Sequence, residues 1–573
     1  MLAFRSSGTG SIIFPFPISL AFYRVEKHIA ANLLTDLRPF PNTIAGAAMN
    51  PPGQLQYFRS PVDGKLHPCA ICATDTDESP KPLIIEVSPG AMNDLPRAVA
   101  TTEEIVAIAS RHGQSCVALR PTGRGPGSVY QNYGEIDVLE AIEHAAANYS
   151  IDRDRITVTG SSMGGAATWY LISHYPDLFA GAAPFCGYCD YRLWEKPGGL
   201  TFHMHAWEEP SWRARSAAFL VENLEHTPVW MIHGEWDRGV GGGVPVEHSR
   251  QMARLMEERG YAFRYTEVPE TGHGCKKPEI FEEVVPWLLN QRKARNPDHV
   301  GLATGNLRHN TSYWLSIDQF SDYGEMARID ATSIGDRMVV KTENVHSFSV
   351  SRQSTQIEID GKTLSAAGQT FQHDPEGNWL SSSERRSGTK HPTCSGPISN
   401  LFFEGLVLVP GTSGSDEATF FNDWVARDAR GYFRSRNGGV HRGGIRGDNT
   451  IDLPIINDKA LTKEELTHNN LLLYGTPQTN TILAQFADQL PISFGATTIQ
   501  VSDKTYSGDI VCVFAVFPHP QNPDRLVAIH GGVTPDAVTW GSHLDMQLLP
   551  DYLAYNGGDL LDWGFWNNDW QSQ

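Results

Sequence analysis

Between Gln54 and Asn290 short apolar, β-rich runs alternate with helical stretches, and this alternation constrains the fold more than any other feature of the chain. The strand-like runs are Leu83–Val87, Cys116–Leu119, Ile156–Thr159, Phe179–Phe185, Val229–His233 and Phe263–Val268. Between them lie helical stretches at Thr101–Arg111, Ile136–Asn148, Gly165–His174, Val246–Arg259 and Ile280–Arg292. Strand–helix alternation at this spacing predicts an α/β class with a mostly parallel, doubly wound sheet. Such sheets carry their chemistry beyond the carboxyl ends of the strands.

The 573-residue chain is too long for one hydrophobic core. Its style changes near Asn296-Pro297, and residues from about Thr311 to Leu364 are strand-like, with alternating runs such as Met338–Lys341 and Thr355–Ile359. A polar stretch from Ser381 to Ser399 reads as a linker or long loop. Beyond it Leu406–Val409, Leu471–Tyr474 and Leu526–Ile529 are strand-like, with a helix around Ala418–Ala429. The expected division is an N-terminal extension (1–52), a catalytic domain (53–298), a β-rich module and linker (299–395), and a mixed α/β C-terminal domain (396–573). Ser11–Tyr23 is apolar but holds two prolines and is too short to span a bilayer. Glu26, Lys27 and Asp36 precede the small cluster Ala45-Gly46-Ala47, so the segment reads as a poorly ordered extension rather than a signal peptide. The sequence chooses neither a cytoplasmic nor a secreted setting, and gives no oligomeric state.

A net charge of −19 argues against nucleic acid or an anionic membrane as partner, because both are held by clustered Lys and Arg. Of the eight cysteines, Cys69 with Cys72 and Cys186 with Cys189 have Cys-x-x-Cys spacing. Each pair lies beside a strand, so they read as buried free thiols and no metal or organic cofactor is expected.

Gly160-Ser161-Ser162-Met163-Gly164 fits G-x-S-x-G. Alone the pattern is weak, but a strand precedes it and a helix follows, which is the sharp turn that lifts a serine hydroxyl above a sheet. A serine needs a base to take its proton and an acid to orient that base. Past the strand ending at His233 comes Asp237, and past the strand ending at Val268 comes His273, giving the order Ser162, Asp237, His273. Glu235 is the rival acid but lies only two residues beyond the strand. His233 reads as a structural strand-end residue; His203 and His205 are candidates for the pocket lining. The oxyanion that forms needs two backbone donors. Met163 is one, and the Ala91 or Gly90 amide in the turn after Leu83–Glu86 is the other; Pro89 has no N–H. Arg124 and Tyr130, on the glycine-punctuated loop Arg120–Tyr130, are candidate substrate contacts. Gly239–Val244 reads as a flexible loop, and Trp563, Trp566 and Trp570 either pack the C-terminus or stack on sugar rings.

The run Ile151–Gly165 resembles the nucleophile region of the prolyl oligopeptidase-like hydrolases. Tyr175–Ala180 and Pro228–Asp237 are similar to that group and to the polyhydroxybutyrate-depolymerase-like and feruloyl-type esterases. The resemblance covers about Ser60 to Arg292 and implies an α/β-hydrolase fold with Ser162 as nucleophile, Asp237 as acid and His273 as base. Many relatives carry His-Gly at the oxyanion turn where this chain has Pro89-Gly90. The expected activity is cleavage of carboxylic esters, small or oligomeric, with acylated carbohydrate and aromatic esters suggested by analogy. A prolyl oligopeptidase-like serine peptidase is the alternative. The absence of a propeller-sized region ahead of the hydrolase weighs toward the esterase. A non-catalytic binding protein of the same fold is a third reading, opposed by the presence of all three triad residues.

Overall fold

The computed structural model describes residues 52–573 except 76, 89–93, 126–128, 194, 197–199, 202–204, 239–242, 366–367, 383–387, 436–450 and 542–543. The extension expected at 1–52 therefore lies almost wholly outside the described residues. The first sheet has eight strands: β1 (Gln54–Arg59), β2 (Leu66–Ala73), β3 (Lys81–Glu86), β4 (Val117–Pro121), β5 (Ile151–Ser161), β6 (Gly181–Phe185), β7 (Val229–Gly234) and β8 (Phe263–Val268). Their order is β1-β2-β4-β3-β5-β6-β7-β8. β2 runs antiparallel to both neighbours, and every pairing from β4 to β8 is parallel. This is the α/β-hydrolase arrangement.

The helices of this domain are α1 (Leu95–Arg111), α2 (Tyr133–Asn148), α3 (Met163–His174), α4 (Glu209–Arg215) and α5 (Glu247–Glu258), which lie between its strands, and α6 (Pro278–Leu289), which follows the last of them. Helix α1 starts six residues earlier than its apolar periodicity suggests, because Asp94 caps it by accepting from the Arg97 amide and a proline occupies its first turn. Helix α3 buries every residue from Gly164 to His174. An all-round buried helix is one sandwiched between layers, not one resting on a surface.

Two further sheet systems follow. In the first, β9 (His299–Thr304), β10 (Leu315–Phe320), β11 (Ala327–Ile334), β12 (Arg337–Glu343), β13 (Val345–Val350), β14 (Gln356–Ile359), β15 (Lys362–Ser365), β16 (Thr370–His373) and β17 (Trp379–Ser382) divide between two sheets. The orders are β9-β11-β12-β14-β15 and β10-β13-β16-β17, the latter edged by the short strand Thr311–Ser312. Alternation along β11, with Ala327, Ile329, Ala331 and Ser333 buried, shows why period two predicts this module. In the second system β18 (Leu406–Pro410), β19 (Asn470–Tyr474), β20 (Val511–His519), β21 (Asn522–Gly532), β22 (Tyr552–Asn556) and β23 (Asp559–Gly564) form one sheet in the order β18-β19-β21-β20-β22-β23. Helix α7 (Asp416–Ser435) connects β18 toward β19.

Residues 50–573 form one compact unit. The C-terminal sheet shares a hydrophobic cluster with Val129, Tyr133, Ile136, Tyr188, Trp207, Trp212 and Val244 of the hydrolase. The interface is also polar: Arg215 donates to Gln547 O at 2.6 Å, Ser211 to Leu548 O at 3.1 Å and Tyr133 to Glu404 O at 3.2 Å. Of the stretch Ser381–Ser399, expected as a linker or long loop, residues 383–387 lie outside the described residues and the part from Thr389 onward is largely packed. Lys390 is fully buried and pairs with the equally buried Asp551 at 2.5 Å, while Cys394 and Ile398 enter the core. Trp566 is also fully buried, stacked on Tyr552 with ring centroids 4.3 Å apart, and Trp570 is 5% exposed. Those tryptophans hold the C-terminus down. Among the described residues no helix is long and apolar enough to cross a membrane.

Candidate active site

Strand β5 runs into Ser162, whose backbone takes φ 61° and ψ −118° before α3 begins at Met163. This conformation is costly for a side-chain-bearing residue and places the serine at the point of a turn. The turn closes only because its flanks are glycine. A Cβ on Gly160 or on Gly164 would fall far inside van der Waals contact of the Val87 carbonyl oxygen at the end of the neighbouring strand. The Ser162 amide donates to Phe185 O at 2.9 Å, tying the turn to β6.

His273 Nε2 lies 2.7 Å from Ser162 Oγ, and His273 Nδ1 lies 2.6 Å from Asp237 Oδ2. The structure thus brings together the three residues named from sequence order, each on a loop past a strand end. Asp237 Oδ1 accepts from the Val244 amide at 3.0 Å, and His233 Nε2 stands 3.4 Å from Oδ2. Burial alone would raise the Asp237 carboxyl, but the hydrogen bonds with His233 and His273 outweigh it and hold the pKa at about 2. The group is therefore a carboxylate across the whole neutral range. Glu235, the rival acid, instead accepts from the Glu270 amide at 2.9 Å and pins the His273 loop. His233 is fully buried between Ser249 Oγ (2.8 Å) and Val244 O (2.9 Å), a structural position as expected. Residues 239–242 of the anticipated flexible loop lie outside the described residues; Val244 at its end is buried.

The Met163 amide opens α3, where the first N–H groups have no partner within the helix. Gly90 and Ala91 lie outside the described residues, as does His203. The strand leading to that turn is nevertheless held by a charge cluster that the sequence did not suggest. Glu86, fully buried at the end of β3, pairs with Arg120 Nε and with Lys276 Nζ, each at 3.0 Å. Burial works against its charge, but Lys276 and Arg120 prevail and keep its pKa below the usual carboxylate value. A lone acid closing an apolar strand was the available signal, and Lys276, three residues past His273, its available partner.

Two expected substrate contacts are corrected. Arg124 is 1% exposed and sits among Asp63, Asp137 and Glu140 at 2.5, 3.3 and 3.4 Å, with φ 62°. A buried guanidinium surrounded by three carboxylates is committed to internal pairing. Tyr130 is 2% exposed; its hydroxyl accepts from the Ser88 amide at 3.1 Å and donates to Ser88 O at 2.8 Å. It braces the turn after β3 instead of meeting substrate. His205 is exposed, its ring stacked on Trp207 at 5.2 Å and its amide donating to Glu208 at 3.0 Å.

A strand-order α/β-hydrolase sheet with a hydrogen-bonded Ser–His–Asp chain at the strand ends defines the serine hydrolase class. Within that class, residues 129–293 match the model of the prolyl oligopeptidase family (Peptidase S9). The chain is 25% identical over 471 residues to an uncharacterized secreted protein of Arthroderma benhamiae, covering 74% of this chain and 47% of that protein. It is 29% identical over 170 residues to an acylamino-acid-releasing enzyme of Arabidopsis thaliana, covering 26% of this chain and 22% of that enzyme. Over 63 residues it is 41% identical to poly(3-hydroxyalkanoate) depolymerase C of Paucimonas lemoignei, covering 11% of this chain and 15% of the depolymerase. The chain thus spans about half the length of the first of these relatives and about a fifth of the second.

Proposed function

We propose that the protein hydrolyses carboxylic esters through an acyl-enzyme on Ser162. The observation that carries the reading is the unbroken hydrogen-bond chain from Ser162 Oγ through His273 to Asp237. In this reading His273 Nε2 takes the hydroxyl proton as Ser162 attacks the ester carbonyl. Asp237 holds Nδ1–H, fixing the tautomer that leaves Nε2 free to accept, and balances the imidazolium that forms. The Met163 amide donates to the developing oxyanion. His273 then gives its proton to the departing alcohol, and a water deprotonated by the same ring releases the acid.

Likeness to a polyester depolymerase supports the ester as substrate, and a small or oligomeric acylated carbohydrate or aromatic ester is the class we put forward. The acylamino-acid-releasing relatives favour a second reading, a serine peptidase with the same triad. The acidity of the chain supports a partner list without nucleic acid or membrane. The deciding experiment compares a short-chain p-nitrophenyl ester with a prolyl-p-nitroanilide, for wild type and Ser162→Ala. Ester turnover lost in the variant supports the proposal. Anilide turnover alone moves the assignment to the peptidase, and ester turnover unaffected by Ser162→Ala removes Ser162 from the chemistry.

A further inference from the structure

Behind the His273–Asp237 contact lies a thiol that the acyl-transfer reaction does not use. Cys186 follows β6 with φ 45°, its amide donating to Ile232 O at 2.9 Å and its thiol donating to the His273 carbonyl at 3.3 Å. The ligand atoms of Cys186, Asp237 and His273 all lie within 4.8 Å of one another. A thiol, an imidazole and a carboxylate converging in this way form a mixed S/N/O donor set.

We propose that Cys186, Asp237 and His273 form an inhibitory site for a thiophilic divalent cation, with Zn2+ as the fitting ion. Zinc takes sulfur at about 2.3 Å and nitrogen or oxygen at about 2.0–2.2 Å, so two ligands of one tetrahedral ion stand about 3.3–3.7 Å apart. The observed span of up to 4.8 Å closes by about an ångström, and the 2.6 Å contact between His273 Nδ1 and Asp237 Oδ2 opens by somewhat less, as side chains turn toward the ion. The thiolate selects zinc over magnesium or calcium, which prefer all-oxygen sites. Orienting contacts are already built: the Val244 amide and His233 hold the Asp237 carboxylate from behind. His273 is 33% exposed, which leaves a side from which the ion enters and a water completes four-coordination. On binding, the Cys186 S–H and His273 Nδ1–H bonds break, both protons pass to solvent, and Zn–S and Zn–N bonds form without any change in oxidation state. An Nδ1 bound to metal no longer donates to Asp237, and the ring turned toward the ion no longer presents Nε2 to Ser162. The site and the triad therefore exclude each other.

The test uses the whole chain and two readouts. Cobalt(II), which takes zinc sites and reports its ligands optically, gives a near-ultraviolet sulfur-to-cobalt band in the wild type. That band is lost in Cys186→Ser, and cobalt affinity falls at least about tenfold in His273→Gln. Half-inhibition of ester turnover by Zn2+, expressed relative to each protein's own zinc-free rate, moves at least about tenfold higher in Cys186→Ser. The proposal is overturned by a wild type without the band, or by equal cobalt affinity in wild type and both variants. Because the cobalt band needs no turnover, it decides the metal site even if the ester assignment fails. His273→Gln, at a partly exposed position, keeps the test open should Cys186→Ser not fold.

Discussion

Replacing Asp237 with asparagine changes one atom and removes the charge, and the structure dictates that neither amide orientation can restore what is lost. The wild-type carboxylate is an acceptor on both sides: Oδ2 faces His273 Nδ1 at 2.6 Å and Oδ1 faces the Val244 amide at 3.0 Å. If the asparagine NH2 takes the Oδ2 position, it donates to Nδ1 and forces the imidazole proton onto Nε2, where the ring cannot act as base toward Ser162. If the amide flips, its NH2 meets the Val244 N–H, donor against donor in a buried site, and the imidazolium loses its counter-charge. Either way the expected loss is about 10³–10⁴ in kcat, or about 4–5.5 kcal/mol of transition-state stabilisation. KM should stay within about threefold, since Asp237 does not touch substrate. The assay is steady-state hydrolysis of a p-nitrophenyl ester, with circular dichroism melting to show that the fold persists. A kcat within tenfold of wild type would refute the assignment of Asp237 as the orienting acid.

Three further perturbations test the scaffold. Gly164→Ala places a methyl group inside the Val87 carbonyl oxygen, a backbone atom at a packed strand end, so either the turn or the protein gives way; a melting temperature and ester kcat both within error of wild type would contradict the close approach. Lys390→Met strands the Asp551 carboxylate without its cation in a fully buried position and should cost about 3–5 kcal/mol in urea unfolding, whereas the double variant Lys390→Met/Asp551→Leu should recover most of it. A single variant as stable as wild type would deny the pair its burial. His248 and His530 are each about 2% exposed and burial lowers the pKa of each to about 4, from 6.5. Between those values the unfolded chain binds protons that the folded chain refuses, so stability is fully present above pH 6.5 and is lost as pH falls toward 4. Each contributes a slope of about 1.4 kcal/mol per pH unit across that window. His530→Gln should flatten the pH dependence of the denaturation midpoint, and an unchanged profile would count against neutral burial.

The parallel core was legible because strands buried on both faces read as continuous apolar runs: β3 and β7 are buried at every position. Strand β1 was not, since it is a half-exposed edge whose residues, Gln54 to Arg59, carry only one buried side chain. The triad could be read because chain order and strand ends fix its members locally. Arg124 misled because charge inside a glycine-rich loop looks like surface. Its carboxylates come from Asp63, Asp137 and Glu140, on a loop and a helix that the sequence gives no means of bringing together. The thiol of Cys186 was hidden for the same reason: its neighbours Asp237 and His273 follow it by long stretches of chain and meet it only once β6, β7 and β8 lie side by side.

The residues beyond the hydrolase matter to the site because of what they touch. Gln547 and Leu548, between β21 and β22, engage Arg215 and Ser211, and Gln547 also bonds Asn132 at the head of α2. Arg215 in turn donates to Gln131 at 3.0 Å. Immediately before these residues stands Tyr130, whose hydroxyl clamps both backbone groups of Ser88 at the turn after β3. Val129, its neighbour on the other side, is buried in the cluster that contains the C-terminal sheet. Tyr130, Asn132 and Val129 all hold left-handed backbone conformations, which cost energy and persist only where the surroundings impose them. The surroundings that impose them come partly from the C-terminal sheet. The loop whose Tyr130 clamps Ser88 past the end of β3 is therefore shaped by the C-terminal region, which makes that region part of the scaffold of the site and not a module tethered beside it.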